Sequence, residues 1–166
     1  MAAHHDGYDV RLMAARAALA LEDEAGAKVQ LEAAVAIDAE RPEALMGLLE
    51  LARRGHDDDA RREVLTRLAT LDEHSREVSA ELLDLLLAQS RWPELVRFGE
   101  AAIFVDPERA ESHAALAEAY LHVGRPEESL YELDSALLAH PTDEAPIRSA
   151  RARALAALGR EETPGN

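Results

Sequence analysis

Apolar residues recur three and four positions apart along the chain, the spacing that gathers them on one side of a helix. The pattern is clearest over residues 110 to 143. There Ala114, Ala117 and Tyr120 share one side of a first helix, and Gly124 ends it at a position suited to left-handed backbone. Pro126 opens a second helix, where its missing amide costs nothing, and Glu127 and Glu128 complement the positive end of the helix dipole. Small residues at Ala117, Ser129 and Ala136 let the two helices approach, while Leu116, Tyr120, Leu133 and Leu137 fill the space between them. Extended along the chain, this reading predicts nine helices, at 8–21, 24–37, 43–54, 57–71, 75–89, 93–105, 109–122, 126–139 and 144–158. Residues 1–7 and 161–166 are expected to be frayed.

Composition supports an all-α chain of one domain spanning residues 1–166. It holds 34 Ala and 25 Leu but only 11 Val plus Ile, so the apolar content favours helices over strands. Aromatics are only 4% of the residues, which suits thin layers of helix packed on helix. The net charge of −15, with Lys28 the single lysine, argues against nucleic acid, whose affinity comes from cations that displace counterions. The stretches Leu85 to Ala88 and Ala101 to Val105 fall far short of the roughly 20 apolar residues that span a bilayer. Asp6 and Asp9 stand where a secretory signal would be basic, so a cytoplasmic location is expected. With no cysteine there is neither a disulfide framework nor a thiolate metal site.

The chain also repeats itself every 34 residues. Pro107 and Pro141, then Glu43, Glu77 and Glu111, then Glu50, Asp84 and Glu118 all recur at that interval. With Leu116, Ala117, Tyr120, Gly124, Ser129, Ala136 and Pro141 in place, residues 110–143 resemble a tetratricopeptide repeat, with His113 where the family usually has tryptophan. Counting back gives three more repeats, at 76–109, 42–75 and 8–41. The repeat at 76–109 has Ser90 where glycine is expected and Gly99 where a bulky residue is expected, and the one at 42–75 needs a one-residue offset to bring Gly55 and Ala60 into register. The repeat at 8–41 lacks the turn glycine. Residues 144–158 form a capping helix whose Ala150, Ala154, Leu155 and Leu158 cover the fourth repeat, leaving Arg148, Arg151 and Arg153 toward water. The resemblance implies a right-handed superhelical solenoid of antiparallel helix pairs.

It also implies that the first helix of each pair lines a concave surface. The positions carried over are Asp9, Leu12, Arg16, Leu19 and Ala20; Glu43, Met46, Glu50, Arg53 and Arg54; Glu77, Ala80, Asp84, Leu87 and Ala88; and Glu111, Ala114, Glu118, Leu121 and His122. Glu50, Asp84 and Glu118 should then form a row of like charge that a bound cation would relieve, beside an apolar strip of Met46, Ala80, Leu87, Ala114 and Leu121. Glu43, Glu77 and Glu111 lie in first turns, where carboxylates favour the helix dipole whatever the function. The carboxylate clamp of chaperone adaptors would need Lys and Asn where this chain has Met46, Ala80 and Ala114, then Glu50, Asp84 and Glu118. The expected ligand is instead a basic or basic-apolar protein segment.

Residues 110–143 carry a net charge of −6 and residues 144–166 carry +1, an asymmetry that permits head-to-tail association. The seven histidines form no metal motif; Glu118 with His122 is a two-ligand fragment, and Asp57, Asp58 and Asp59 read as helix-capping acids. No cofactor is implied and no set of residues meets the requirements of a catalytic site. Trp92, just before Pro93, reads as a packing residue or an exposed anchor. The expected function is a noncatalytic scaffold or adaptor. The alternative is a self-assembling module or the recognition arm of a larger complex.

Overall fold

The computed structural model describes the backbone of residues 2–160 and the side chains of residues 7–160. Among the described residues there are nine helices and no strand: α1 (Ala2–Ala20), α2 (Glu24–Ile37), α3 (Pro42–Arg54), α4 (Asp58–Leu71), α5 (Arg76–Ala88), α6 (Trp92–Val105), α7 (Ala110–His122), α8 (Pro126–Leu138) and α9 (Ala145–Ala157). The start of α1 departs from expectation, since the helix runs back to Ala2 through residues read as a frayed tail. The expected frayed tail at 161–166 lies outside the described residues.

The chain divides into two compact units, Met1–Asp72 and Glu73–Asn166. In the first, α1 packs on α2, α2 on α3 and α3 on α4. Its core is built on Tyr8, Leu31, Leu45 and Leu65, all 4% exposed or less. In the second, α5 to α9 pack consecutively, and α7 also touches α5 and α9. Leu82, Leu83, Leu86, Leu95, Leu116 and Leu133 are fully buried there. Ile147, Ala150 and Ala154 of α9 close this core against Ala117, Leu133 and Ala136, the capping role expected of that helix.

The period of 34 is written into the backbone. Glu22, His56, Ser90 and Gly124, each 34 residues after the last, all have positive φ, between 51° and 76°. Beside each, the amide of Asp23, Asp57, Arg91 or Arg125 donates to a carbonyl five residues back, on Ala18, Ala52, Leu86 or Tyr120. This closure satisfies the last carbonyls of the first helix and sends the chain back along it. The offset expected in the second repeat is therefore corrected: His56 takes the left-handed position, while Gly55 is helical at φ −76°. Only the fourth repeat has glycine there. The other three accept a left-handed side chain at about 1–2 kcal/mol each, offset by the hydrogen bonds the turn makes. Gly99 has its own reason, because a Cβ there would come within 3.0 Å of Leu116, which fills the space a bulkier residue was expected to fill.

Candidate partner-binding surface

In the first unit the face formed by α1 and α3 is organised by Tyr8. Its hydroxyl accepts from the Ala44 amide at 3.0 Å and faces the Glu43 carboxylate at 3.3 Å. Arg41, which precedes α3, lays its guanidinium 3.9 Å over the Tyr8 ring and pairs with Asp9 at 3.1 Å and Glu43 at 3.5 Å. A hydrogen bond from its own backbone amide, with Arg41 and Tyr8 adding to it, holds the Glu43 carboxyl below the usual range. Glu50 pairs within its own helix, with Arg54 at 3.0 Å and Arg53 at 4.0 Å. Met46 is 60% exposed, whereas Leu12, expected on the open face, is buried.

In the second unit Asp84 of α5 pairs with Arg109 at 3.3 Å, and Glu118 of α7 holds Arg153 of α9 through bonds of 2.6 and 3.0 Å. Hydrogen bonding from Arg153 holds the Glu118 carboxyl below its ordinary range against the burial that would raise it. Arginines of the same chain therefore sit where a bound cation was expected. On the capping helix Arg148 and Arg153 are exposed as expected, yet they pair with Glu144 at 2.6 Å and with Glu118, while Arg151 is half-buried and pairs with Asp134 at 2.7 Å. Glu77 and Glu111 are exposed at the starts of α5 and α7, with Glu111 4.0 Å from Arg109. Ala80, Leu87, Ala114 and Leu121 are half-buried, and Ala114 and Leu121 pack on the core cluster beneath α9. Ala114 and Leu121 thus serve packing with part of each side chain still exposed.

His122 lies flat on Trp92, with ring centroids 4.0 Å apart and planes 1° apart, and reaches Glu118 at 3.3 Å. Trp92, Glu118, His122 and Arg153 thereby form one continuous cluster spanning α6, α7 and α9. Imidazole in face contact quenches indole emission, and Trp92 is the only tryptophan. Fluorescence of His122→Ala is expected to exceed that of the parent protein at equal concentration, and equal emission would show that the stack is absent in solution.

Deeper in the same unit, His113 is buried with Nδ1 2.6 Å from Glu132 Oε2 and Nε2 2.9 Å from the Pro107 carbonyl. Among the described residues no three His, Asp or Glu gather closely enough to hold a metal ion. No helix there is long and apolar enough to cross a membrane.

No family model and no curated protein matches the sequence. Solved structures do. A MamA protein aligns with 93% of this chain and 84% of its own at 15% identity and a TM-score of 0.64. A tetratricopeptide repeat protein from Parabacteroides merdae aligns with 93% of this chain and 61% of its own at 13% identity and a TM-score of 0.60. The chain has the tetratricopeptide-repeat fold. YrrB, described as a TPR protein with an unusual peptide-binding site, aligns with 86% of this chain and 73% of its own at 18% identity and a TM-score of 0.56.

Within this tetratricopeptide fold two of the arginines that meet first-helix acids share a position that the sequence reading missed. Arg41 and Arg109 stand at the N-caps of α3 and α7, two 34-residue periods apart, and each reaches back to a carboxylate on the preceding first helix. That spacing was a usable signal. Arg153 offered none, because it acts from within α9 and meets Glu118 across 35 positions.

Proposed function

We propose that the chain is a noncatalytic protein-interaction module of the cytoplasm that holds a basic or basic-apolar partner segment on its first-helix surfaces. The residues assigned to contact are Glu43, Met46, Glu50, Glu77, Ala80, Asp84, Leu87, Glu111, Ala114, Glu118, Leu121 and His122. One observation carries this reading: Glu50, Asp84 and Glu118, at equivalent repeat positions, each already bind a guanidinium. A partner's arginines would add to these carboxylates or exchange with Arg109 and Arg153 on them, and Met46 offers open apolar contact in the first unit. Exchange makes specificity depend on the partner's apolar groups, since one guanidinium replaces another at little net gain.

The test is titration of the full chain with fluorescent peptides matched in length and apolar content, carrying either arginines or glutamates. Binding confined to the arginine peptides, weaker in Asp84→Asn/Glu118→Gln and weakened by salt, supports the proposal. Equal binding of both peptides overturns it.

A second reading, self-association, is favoured by the second helices of the second unit. Phe104 and Leu138 occupy equivalent repeat positions and are 87% and 78% exposed, and Tyr131 is 70% exposed. A mass that rises with concentration and falls back in Phe104→Glu/Leu138→Glu supports it.

A further inference from the structure

The first unit has a groove on the other side of its hairpins, walled by α2 and α4 and floored by the second half of α3. Its volume of about 410 Å³ lies in the range of ligand sites. Leu48 and Leu51 supply an apolar floor beside Val64 on the α4 wall, and the rim has four carboxylates against two cations, Lys28 and Arg67. Most charged side chains of this protein are paired within the chain, but these are largely not. Among the described residues, Lys28, Glu32, Glu63 and Arg67 make no ion pair or side-chain hydrogen bond, although Lys28 stands one helical turn from both Glu24 and Glu32. Asp57 is spent capping the Ala60 amide, and Glu24 meets Arg54 only at 4.0 Å.

We infer that this groove is a docking site, separate from the first-helix surfaces, for an extended peptide whose apolar side chains reach its floor while basic side chains meet Glu32 and Glu63. Charge decides the occupant. The rim has two negative charges in excess, and its uncommitted carboxylates stand on opposite walls, Glu32 on α2 and Glu63 on α4, so cationic side chains on a central segment meet both. Lys28 and Arg67 are left to donate hydrogen bonds to backbone carbonyls of the same segment. An acidic peptide would bring like charge to four carboxylates, and a purely polar one would leave the floor uncovered.

The experiment uses the full chain and three fluorescein-labelled peptides of equal length, alternating Leu with Arg, Leu with Glu, and Ser with Arg. The Leu/Arg peptide is expected to bind best. Ala60→Trp, which fills the groove from its α4 wall, should raise its Kd about tenfold, and Glu32→Gln/Glu63→Gln about threefold. In the Asp84→Asn/Glu118→Gln background, which removes the first-helix site, the Leu/Arg peptide should still bind and should lose that remaining binding on Glu32→Gln/Glu63→Gln, so this result is separable from the first-helix proposal. Circular dichroism checks Ala60→Trp; if that variant is misfolded, the exposed Glu32→Gln/Glu63→Gln pair decides alone. Parent-like affinity in the groove variants, equal binding of the Leu/Glu peptide, or no binding of the Leu/Arg peptide overturns the inference.

Discussion

Glu132→Ala is expected to destabilise the unit Glu73–Asn166 by about 3–5 kcal/mol, the loss seen when one partner of a buried charged pair is removed. Glu132 and His113 are 5% and 7% exposed. The Pro107 carbonyl can only accept, so His113 Nε2 must donate to it, and the 2.6 Å contact between Nδ1 and Glu132 then requires a second proton between them. Nδ1 of His113 meets only Glu132, since the Pro107 carbonyl occupies Nε2. Alanine leaves Nδ1 unpaired and opens a cavity beside it. Glutamine can donate its amide to Nδ1 while the Pro107 bond stays, so Glu132→Gln should cost only about 1 kcal/mol. Urea denaturation followed by Trp92 emission reads both variants in the unit that contains them. Equal losses would show that volume, not the hydrogen bond, is what matters. The double variant His113→Phe/Glu132→Leu should recover most of the loss, since buried pairs replaced by apolar groups of similar volume are often neutral or stabilising.

The tryptophan position of the repeat shows where reading the sequence stops. His113 was legible as a departure from the pattern, but its partner is 19 positions away on α8 and belongs to no recurring series. Helix positions were legible throughout, because prolines, first-turn acids and apolar spacing act within a few residues. Turn geometry was half legible: Gly124 announced the left-handed position, while Glu22, His56 and Ser90 hold it only because the flanking hairpins impose it. The acids of the first helices were also legible, as positions. Their occupancy was not, because Arg109 and Arg153 meet Asp84 and Glu118 across 25 and 35 residues, and a list of charges gives no pairing. Reading one charge sign alone thus left out the arginines that meet part of these acids. The groove in the first unit escaped for a related reason: its walls come from two second helices, and no position in either marks it locally.

Tyr8→Ala is the counterpart in the first unit, with an expected loss of about 3–5 kcal/mol from the cavity left by a fully buried aromatic ring. The ring is also the platform for the Arg41 guanidinium, 3.9 Å above it, so its removal frees Arg41 from one of its three contacts. The hydroxyl contributes separately. Arg41, the residue before α3, makes no side-chain capping bond to the amides of the helix it begins, and Pro42 has no amide to satisfy. The Ala44 amide, exposed to no local cap, is met by Tyr8 from 36 residues away at 3.0 Å. A tertiary contact thus performs what Asp23, Asp57 and Ser75 do locally for α2, α4 and α5. Tyr8→Phe should accordingly keep the packing and cost about 1–2 kcal/mol, the range for a lost helix cap. Amide exchange separates the two effects: Tyr8→Phe should speed exchange at Ala44 and its neighbours in the first turn of α3, while Tyr8→Ala should speed it across α1 to α3. Unchanged protection of Ala44 in Tyr8→Phe would mean that α3 begins without help from α1, and that Tyr8 acts through its ring alone.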